Sequence, residues 1–310
     1  MLDSMINSIP GAIQLGLLYA CMSLGVYITY RILDFPDLTV DGSFTTGAAI
    51  AAVMITHGNS PWLATACAFV GGCAAGIATG LLHTKGKINA LLSGIIMMIA
   101  LYSINLRISR VPNVSLIREH HIFTSVSPWL LMPIVVIAVK FLLDAFFHTD
   151  LGLSLRATGD NDRMIRSFGA HTDNTKIIGV GLSNGLVALS GAFVAQQQGY
   201  SDQSMGIGMI VIGLAAVIIG EAIFGRRSVF WATLSAIVGM ILYRIVIAVA
   251  LRVPGFQSTD LKVITAVIVI FALIIPTAHR AYRQKRAARR RSAELSAVLS
   301  GAGPAHGGDR

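Results

Sequence analysis

The chain has 310 residues, 54% of them hydrophobic and 13% charged, with a mean hydropathy of +0.70. That is more apolar surface than a soluble core of this size can bury, which excludes a soluble globular protein and makes the chain an integral membrane protein. The net charge of +9 resembles a nucleic-acid signal until it is divided: residues 280–310 hold +6 of it, in a tail that follows the last apolar segment, so it marks topology and no nucleic-acid partner is expected.

In chain order, residues 1–11 lack the cationic start and small-residue cleavage site of a removable signal peptide. The first span is expected over 12–30, ending at Arg31. The polar stretch RILDFPDLTVDG follows, with Asp34, Asp37 and Asp41 around Pro36 and Gly42. The next apolar piece, 43–55, is too short at ~1.5 Å per residue for a ~30 Å hydrocarbon core. The spacing therefore predicts a broken second helix, either half a span or preceded by backbone unwound within the membrane, the arrangement that points to a translocation path. Asp37 and Asp41, flanking the break with Gly42, are candidate path residues. Residues 62–82 form the next span, with Gly72, Gly76 and Gly80 at four-residue spacing for close approach of another helix. Spans at 88–106 and 128–147 follow, the first holding Asn89 and Asn105, the second Lys140 and Asp144 positioned to pair or to snorkel.

Further spans are expected over 177–196 (with Asn184), 207–224 (with Glu221), 229–251 (with Arg244) and 263–279. Polar groups inside a membrane are costly unless paired or wetted, so Asn105, Asn184, Glu221 and Arg244 line a path or lock helices together. Counting Lys and Arg puts the turns at 83–87, 151–176 and 226–227 and the tail on the cytoplasmic side, and the connector at 197–205 outside. The loop at 107–124 conflicts, because alternation places it outside despite three arginines. The count of spans is accordingly about eight to ten. Residues 1–279 read as the transmembrane domain, and 280–310 as a basic, partly disordered cytoplasmic tail.

Several features look like chemistry and have simpler readings. Cys21, Cys67 and Cys73 sit in apolar segments as small core residues. The stretch GLLHTKGK departs from a phosphate-binding loop in spacing and lacks its Ser/Thr. His120 and His121 have no second ligand cluster, so neither metal nor cofactor is expected. Asp160 and Asp162 have no nucleophile nearby, and no catalytic residue or enzyme activity is expected.

Residues 151–173, LGLSLRATGDNDRMIRSFGAHTD, are the longest polar interruption, with balanced charge. One short helix closes near Thr158 and stops at Gly159; Asp160 or Asn161 caps a second over 163–170. Such a loop suits docking to another protein. The stretch resembles the cytoplasmic coupling segment of ABC importer permeases of the branched-chain amino acid and ribose permease family. The pattern G-x-x-L-R-A-x-G-D-N stands here as Gly152, Leu155, Arg156, Ala157, Gly159, Asp160 and Asn161, with Ser167, Phe168 and Gly169 beyond. Arg166 to Gly169 departs from the family, which often has alanine before that glycine. The N-terminal GLLYACMSLGVYITYRILDFPDLTVDGSFTTGAA and INALLSGIIMMIALYSINLRI look like the tryptophan/tyrosine-type subgroup. The resemblance covers about 12–279.

It implies an all-α bundle in two inverted halves, used as a homodimer or heterodimer in a bacterial cytoplasmic (inner) membrane. It implies a separate cytoplasmic ATP-binding subunit, an extracytoplasmic solute-binding protein, and alternating access for a small solute, an amino acid in that subgroup. Arg156, Thr158, Gly159, Asp160, Asn161, Arg163 and Gly169 become the coupling residues, with Arg156, Asp160 and Arg163 making the docking contacts. The competing reading is an ion-coupled carrier working alone, with Asp37, Asp41 and Glu221 carrying the coupling ion.

Overall fold

The computed structural model describes residues 8–169, 171–225, 228–252, 263–267, 269–270 and 274. The chain forms α1 (Ile9–Val26), extended by a π-helical turn (Tyr27–Ile32), then α2 (Thr39–Thr56), α3 (Pro61–Thr84) and α4 (Ala90–Ser109). Next come β1 (Asn113–Ser115), a single turn α5 (Ile122–Ser125), α6 (Pro128–Phe147), α7 (Asp150–Ser167) and α8 (Thr172–Gln198). After β2 (Tyr200–Asp202), α9 (Met209–Phe224) and α10 (Val229–Ala250) complete the labelled elements. Helix starts follow local chemistry. Pro61 and Pro128 open α3 and α6, where a missing N–H costs nothing. Asn89 and Ser228 accept from the amides of Leu91 (2.9 Å) and Trp231 (3.4 Å).

Six helices among the described residues are long and apolar enough to cross a membrane: α1 with its π turn, α3, α4, α6, α8 and α10. The 18-residue α2 and the 16-residue α9 lie among them. The protein is an all-α integral membrane protein. The expected turn at 226–227 and tail at 280–310 lie outside the described residues, as does part of the span expected over 263–279.

Helix α8 is the axis of the bundle, 78% buried in its apolar window, whereas α4 is only 22% buried and faces outward. Lipid tails are as apolar as leucine, so helices associate here through close van der Waals packing between small residues. The expected glycine stripe of α3 does this against α8. A Cβ on Gly76 would collide with the Val180 carbonyl, and one on Gly80 would lie 2.8 Å from Ile177 Cα. Gly47 of α2 meets the backbone of Ala188, and Gly191 of α8 meets that of Phe44. Helices α2, α3 and α8 thus pack backbone to backbone.

The second helix differs from expectation. It begins at Thr39, not near 43, and at ~1.5 Å per residue its 18 residues reach roughly 27 Å. Asp37 Oδ1 accepts the Thr39 amide at 2.9 Å, an Asx-type turn that leads into the helix through polar residues an apolar count passes over. The break lies ahead of the helix, over 33–38, after the π turn and with Asp34 in the left-handed region (φ 50°).

A two-stranded antiparallel ladder pairs Asn113 with Asp202, Val114 with Ser201 and Ser115 with Tyr200. It puts the 107–124 loop beside the 197–205 connector, at one end of the bundle. The arginines that conflicted with charge counting therefore lie at the same end as the Lys- and Arg-free connector. Helix α6 separates this ladder end from the end that carries α7.

Candidate functional site

A cavity of about 510 Å³ opens between α2, α4 and the segment after β2. Leu38, Met98, Ile99, Tyr102 and Ile207 give it an apolar body, and Asp41, Thr45, Ser103, Asn105 and Gln203 add polar groups. Asp41, in the first turn of α2, packs against the N-terminus of α9. Its two carboxylate oxygens accept the amides of Gly208 and Ile210, each at 2.8 Å, so the carboxyl group satisfies two orphan donors at the start of that helix. Gly42 makes the wall thin: a Cβ there would lie 2.8 Å from Leu101 Cδ1. Its carbonyl accepts from Asn105 Nδ2 at 3.2 Å, while Asn105 Oδ1 is buried without a hydrogen-bond partner among the described residues. The covering segment is tied down by Gln203, whose side-chain amide donates to the Tyr102 carbonyl at 2.6 Å. Gly206 packs against the Asp41 carbonyl and the Thr45 hydroxyl.

Of the six expected path residues, Asp41, Gly42 and Asn105 come together at this cavity. Asp37 and Asn184 lie in the adjoining core, fully engaged with each other. Asn184 Nδ2 donates to Asp37 Oδ2 at 2.6 Å and to the Val180 carbonyl at 3.0 Å, while Asn184 Oδ1 accepts from Ser43 at 2.7 Å. Glu221 lies apart, near the α7 end of the bundle, paired with Arg31 at 3.0 Å. Arg244 stacks over the Tyr19 ring at 3.7 Å. Lys140 and Asp144 pair, as one of the two sequence readings has it; Thr233 of α10 donates to Asp144 at 2.7 Å, and the Lys140 ammonium lies 3.2 Å from the Phe230 ring centroid.

Sequence reasoning missed Thr45, Met98, Tyr102, Ser103, Gln203 and Ile207. The α4 residues had a signal: 98, 102 and 105 recur at helical spacing, so a path assigned to Asn105 extends along that face. Gln203 and Ile207 had none, because the fold of the connector over the cavity is a tertiary fact.

The 151–173 stretch holds two helical pieces, as expected, but the break falls at Asn161, two residues beyond Gly159. The range given as α7 is two helices that meet at Asn161 (φ −155°, ψ 88°), where the Asn161 side chain caps the second by accepting the Met164 amide at 3.0 Å. Asn161 is therefore the cap. Gly159 does not stop the helix; it is a close approach, since a Cβ there would collide with the Ile32 carbonyl. Gly152 likewise meets the Phe146 carbonyl, and Leu155 packs on Gly179 of α8. Leu155 and Thr158 are buried, whereas Arg156, Asp160, Asn161, Arg163, Phe168 and Gly169 are exposed. Of the seven expected coupling residues, Thr158 and Gly159 thus face or touch the bundle and the other five face out. Beyond the kink, Arg166 bonds Thr172 (2.8 Å) and Asp173 (2.9 Å), and Lys176 lies 3.4 Å from Asp162. Partial burial works against the Asp162 carboxylate, but the Thr172 hydroxyl, Lys176 and Arg166 outweigh it and hold its pKa below the usual carboxylate value.

The family described as branched-chain amino acid transport system, permease component, matches residues 9–275. A tyrosine transport system permease protein of Clostridioides difficile (strain R20291) is 47% identical over 255 residues, covering 82% of this chain and 86% of that protein. An uncharacterised protein of Rickettsia prowazekii (strain Madrid E) is 32% identical over 275 residues, 86% of this chain and 97% of its own. The ribose import permease protein RbsC of Escherichia coli (strain K12) is 26% identical over 197 residues, 60% of each chain. No solved structure matches the chain. The family match over residues 9–275 and the 47% identical relative show that the chain belongs to the branched-chain amino acid transport system permease family, as the permease component of a transport system.

Proposed function

We propose that this chain is the membrane subunit of an ATP-driven ABC importer in a bacterial cytoplasmic membrane, working by alternating access. Two copies pair, an ATP-binding subunit docks on α7, and an extracytoplasmic protein delivers the solute at the ladder end. The α7 end and the C-terminus are then cytoplasmic. The cargo is an amino acid of the tyrosine type, a reading supported by the 47% identical tyrosine permease. The 510 Å³ cavity, with its apolar body and polar groups, forms part of the solute route.

The observation that carries this reading is α7. A polar helix with its buried side seated on α1, α6 and α8 and its other side offering Arg156, Asp160 and Arg163 to water is built to hold a partner. ATP binding would close the ATP-binding subunits and shift α7, biasing the bundle between inward and outward states; the drive is the differential contact α7 makes in the two states. The ion-coupled carrier has less support, since Asp37 and Asp41 accept hydrogen bonds and Glu221 is ion-paired.

Affinity purification of the tagged permease in mild detergent tests the proposal. Recovery of an ATP-binding subunit from wild type, and its loss from the Arg156→Ala/Asp160→Ala/Arg163→Ala triple variant, is expected. A permease that purifies alone and transports without ATP would overturn it.

A further inference from the structure

The importer reading assigns docking to α7 but leaves open how a movement there reaches the cavity. Three observations converge on one joint. The first is the contact of Gly159 with Ile32, backbone on backbone: a Cβ on Gly159 would collide with the Ile32 carbonyl and lie 3.0 Å from Leu33 Cα. Leu155, one turn earlier, and Leu33 share the same pocket over Gly179. The second is the π-helical turn that ends at Ile32, closed by the Leu33 amide on the Ile28 carbonyl at 3.0 Å and the Phe35 amide on the Thr29 carbonyl at 2.9 Å. Such turns are rare and frequently lie at functional sites. The third is the strap that follows. Residues 33–38 carry Asp34 in the left-handed region at φ 50°, a strained position for a side-chain-bearing residue, and end at Leu38, which lines the cavity.

Both ends of this strap are held. On the α7 side, Arg31 is paired with Glu221 of α9. On the cavity side, Asp37 is bound to Asn184, and Gly94 of α4 lets the Leu38 amide approach to 2.7 Å of where a Cβ would stand. A displacement of α7 against Ile32 therefore cannot dissipate in a loose loop and has a short covalent route to the cavity wall.

We infer that the Gly159–Ile32 contact, with the π turn and the 33–38 strap, is the joint that converts movement of α7 into movement of the cavity wall. Gly159 is then a positioning residue that works on the bundle side of α7, not one that touches the ATP-binding subunit. The inference rests on the importer reading.

The test uses the complete transporter, permease with ATP-binding subunit and binding protein, in proteoliposomes, with radiolabelled L-tyrosine as the probe. Solute moved per ATP hydrolysed is measured alongside recovery of the ATP-binding subunit on the permease. For Gly159→Ala, recovery is expected to persist while solute moved per ATP falls at least tenfold. Because an added methyl could unseat α7 altogether, Asp34→Gly supplies a second reading. It adds no bulk and relieves the left-handed strain, so the strap slackens and the ratio falls roughly threefold, while Asp34→Asn, which tolerates that backbone without the charge, stays at the wild-type ratio. Wild-type ratios in both Gly159→Ala and Asp34→Gly would overturn the joint, and where Gly159→Ala loses the ATP-binding subunit, a wild-type ratio in Asp34→Gly alone would overturn it. A wild-type complex with no ATP-dependent uptake would instead overturn the importer reading.

Discussion

The bundle interior around Asn184 and the surface of α7 use the same side chains to opposite ends. In the interior, Asp37, Asn184, Ser43 and the Thr39 amide satisfy one another at 2.6–2.9 Å, so those polar groups are consumed by the fold. On α7, Arg156, Asp160 and Arg163 stand in water, while Gly152, Leu155 and Gly159 make the seat. A polar residue at membrane depth must find a partner wherever it can, so its presence alone says little about cargo. A polar face left unused on a helix that the bundle otherwise grips says more, because nothing in the fold requires it.

The comparison breaks most sharply at Asn184. Replacing it with leucine strips Asp37 Oδ2 of its amide donor and Ser43 of its acceptor, leaving Asp37 with the Thr39 amide on Oδ1, a loss of about 1–3 kcal/mol for each buried polar group left unsatisfied. The Asn184→Leu protein should fail to accumulate in the membrane, read by fluorescence-detected size exclusion; normal yield and a monodisperse peak would contradict the lock. The α7 triple variant should do the reverse: wild-type yield and melting temperature, with solute-stimulated ATP hydrolysis reduced to background.

Asp41 lies between these extremes, because it is both held and facing a cavity. Asp41→Asn keeps an acceptor oxygen for one of the Gly208 and Ile210 amides, sets an NH2 that cannot accept against the other, and loses any interaction of a charge with the helix dipole, worth about 0.3–2 kcal/mol. Permease yield should be nearly normal and the half-saturating solute concentration should rise about three- to tenfold; an unchanged value would remove Asp41 from the route.

The smallest effect is expected at the root of α8. The Asp162 carboxyl has its folded pKa below the unfolded value, so its contribution to holding the kinked end of α7 is full above about pH 4, the ordinary aspartate value, and is lost as pH falls through the folded pKa. Around neutral pH, Asp162→Asn should cost no more than about 1 kcal/mol, as expected of a half-exposed pair. It should also flatten the acid limb of the melting-temperature profile; an unaltered limb would show that the contact is idle.

Much of this was legible in the sequence for physical reasons. Long apolar runs with Pro or Asn at their starts announce spans, and the Gly72, Gly76, Gly80 stripe announced the close packing on α8. The break before α2 was visible, but its place was not, since counting apolar residues misses a helix that begins with polar residues at Thr39. Asp41, Gly42 and Asn105 were grouped as path residues from their types, and the fold brings them to one cavity. Gln203 and Ile207 join them because β1 and β2 pair across 84 or more residues of intervening chain and Asp41 binds the start of α9, contacts that no local pattern encodes. The role of Gly159 was misread as a helix stop because glycine marks both chain ends and close approaches, and only the position of Ile32 tells them apart.

The most direct test of the central claim is solute uptake by proteoliposomes containing the permease, its ATP-binding subunit and its binding protein, with ATP and the ion gradients varied independently. The account predicts uptake of radiolabelled L-tyrosine that needs ATP on the α7 side, persists when ion gradients are collapsed, and disappears in the Arg156→Ala/Asp160→Ala/Arg163→Ala variant. Uptake that follows an imposed ion gradient without ATP, and survives those three substitutions, would contradict it.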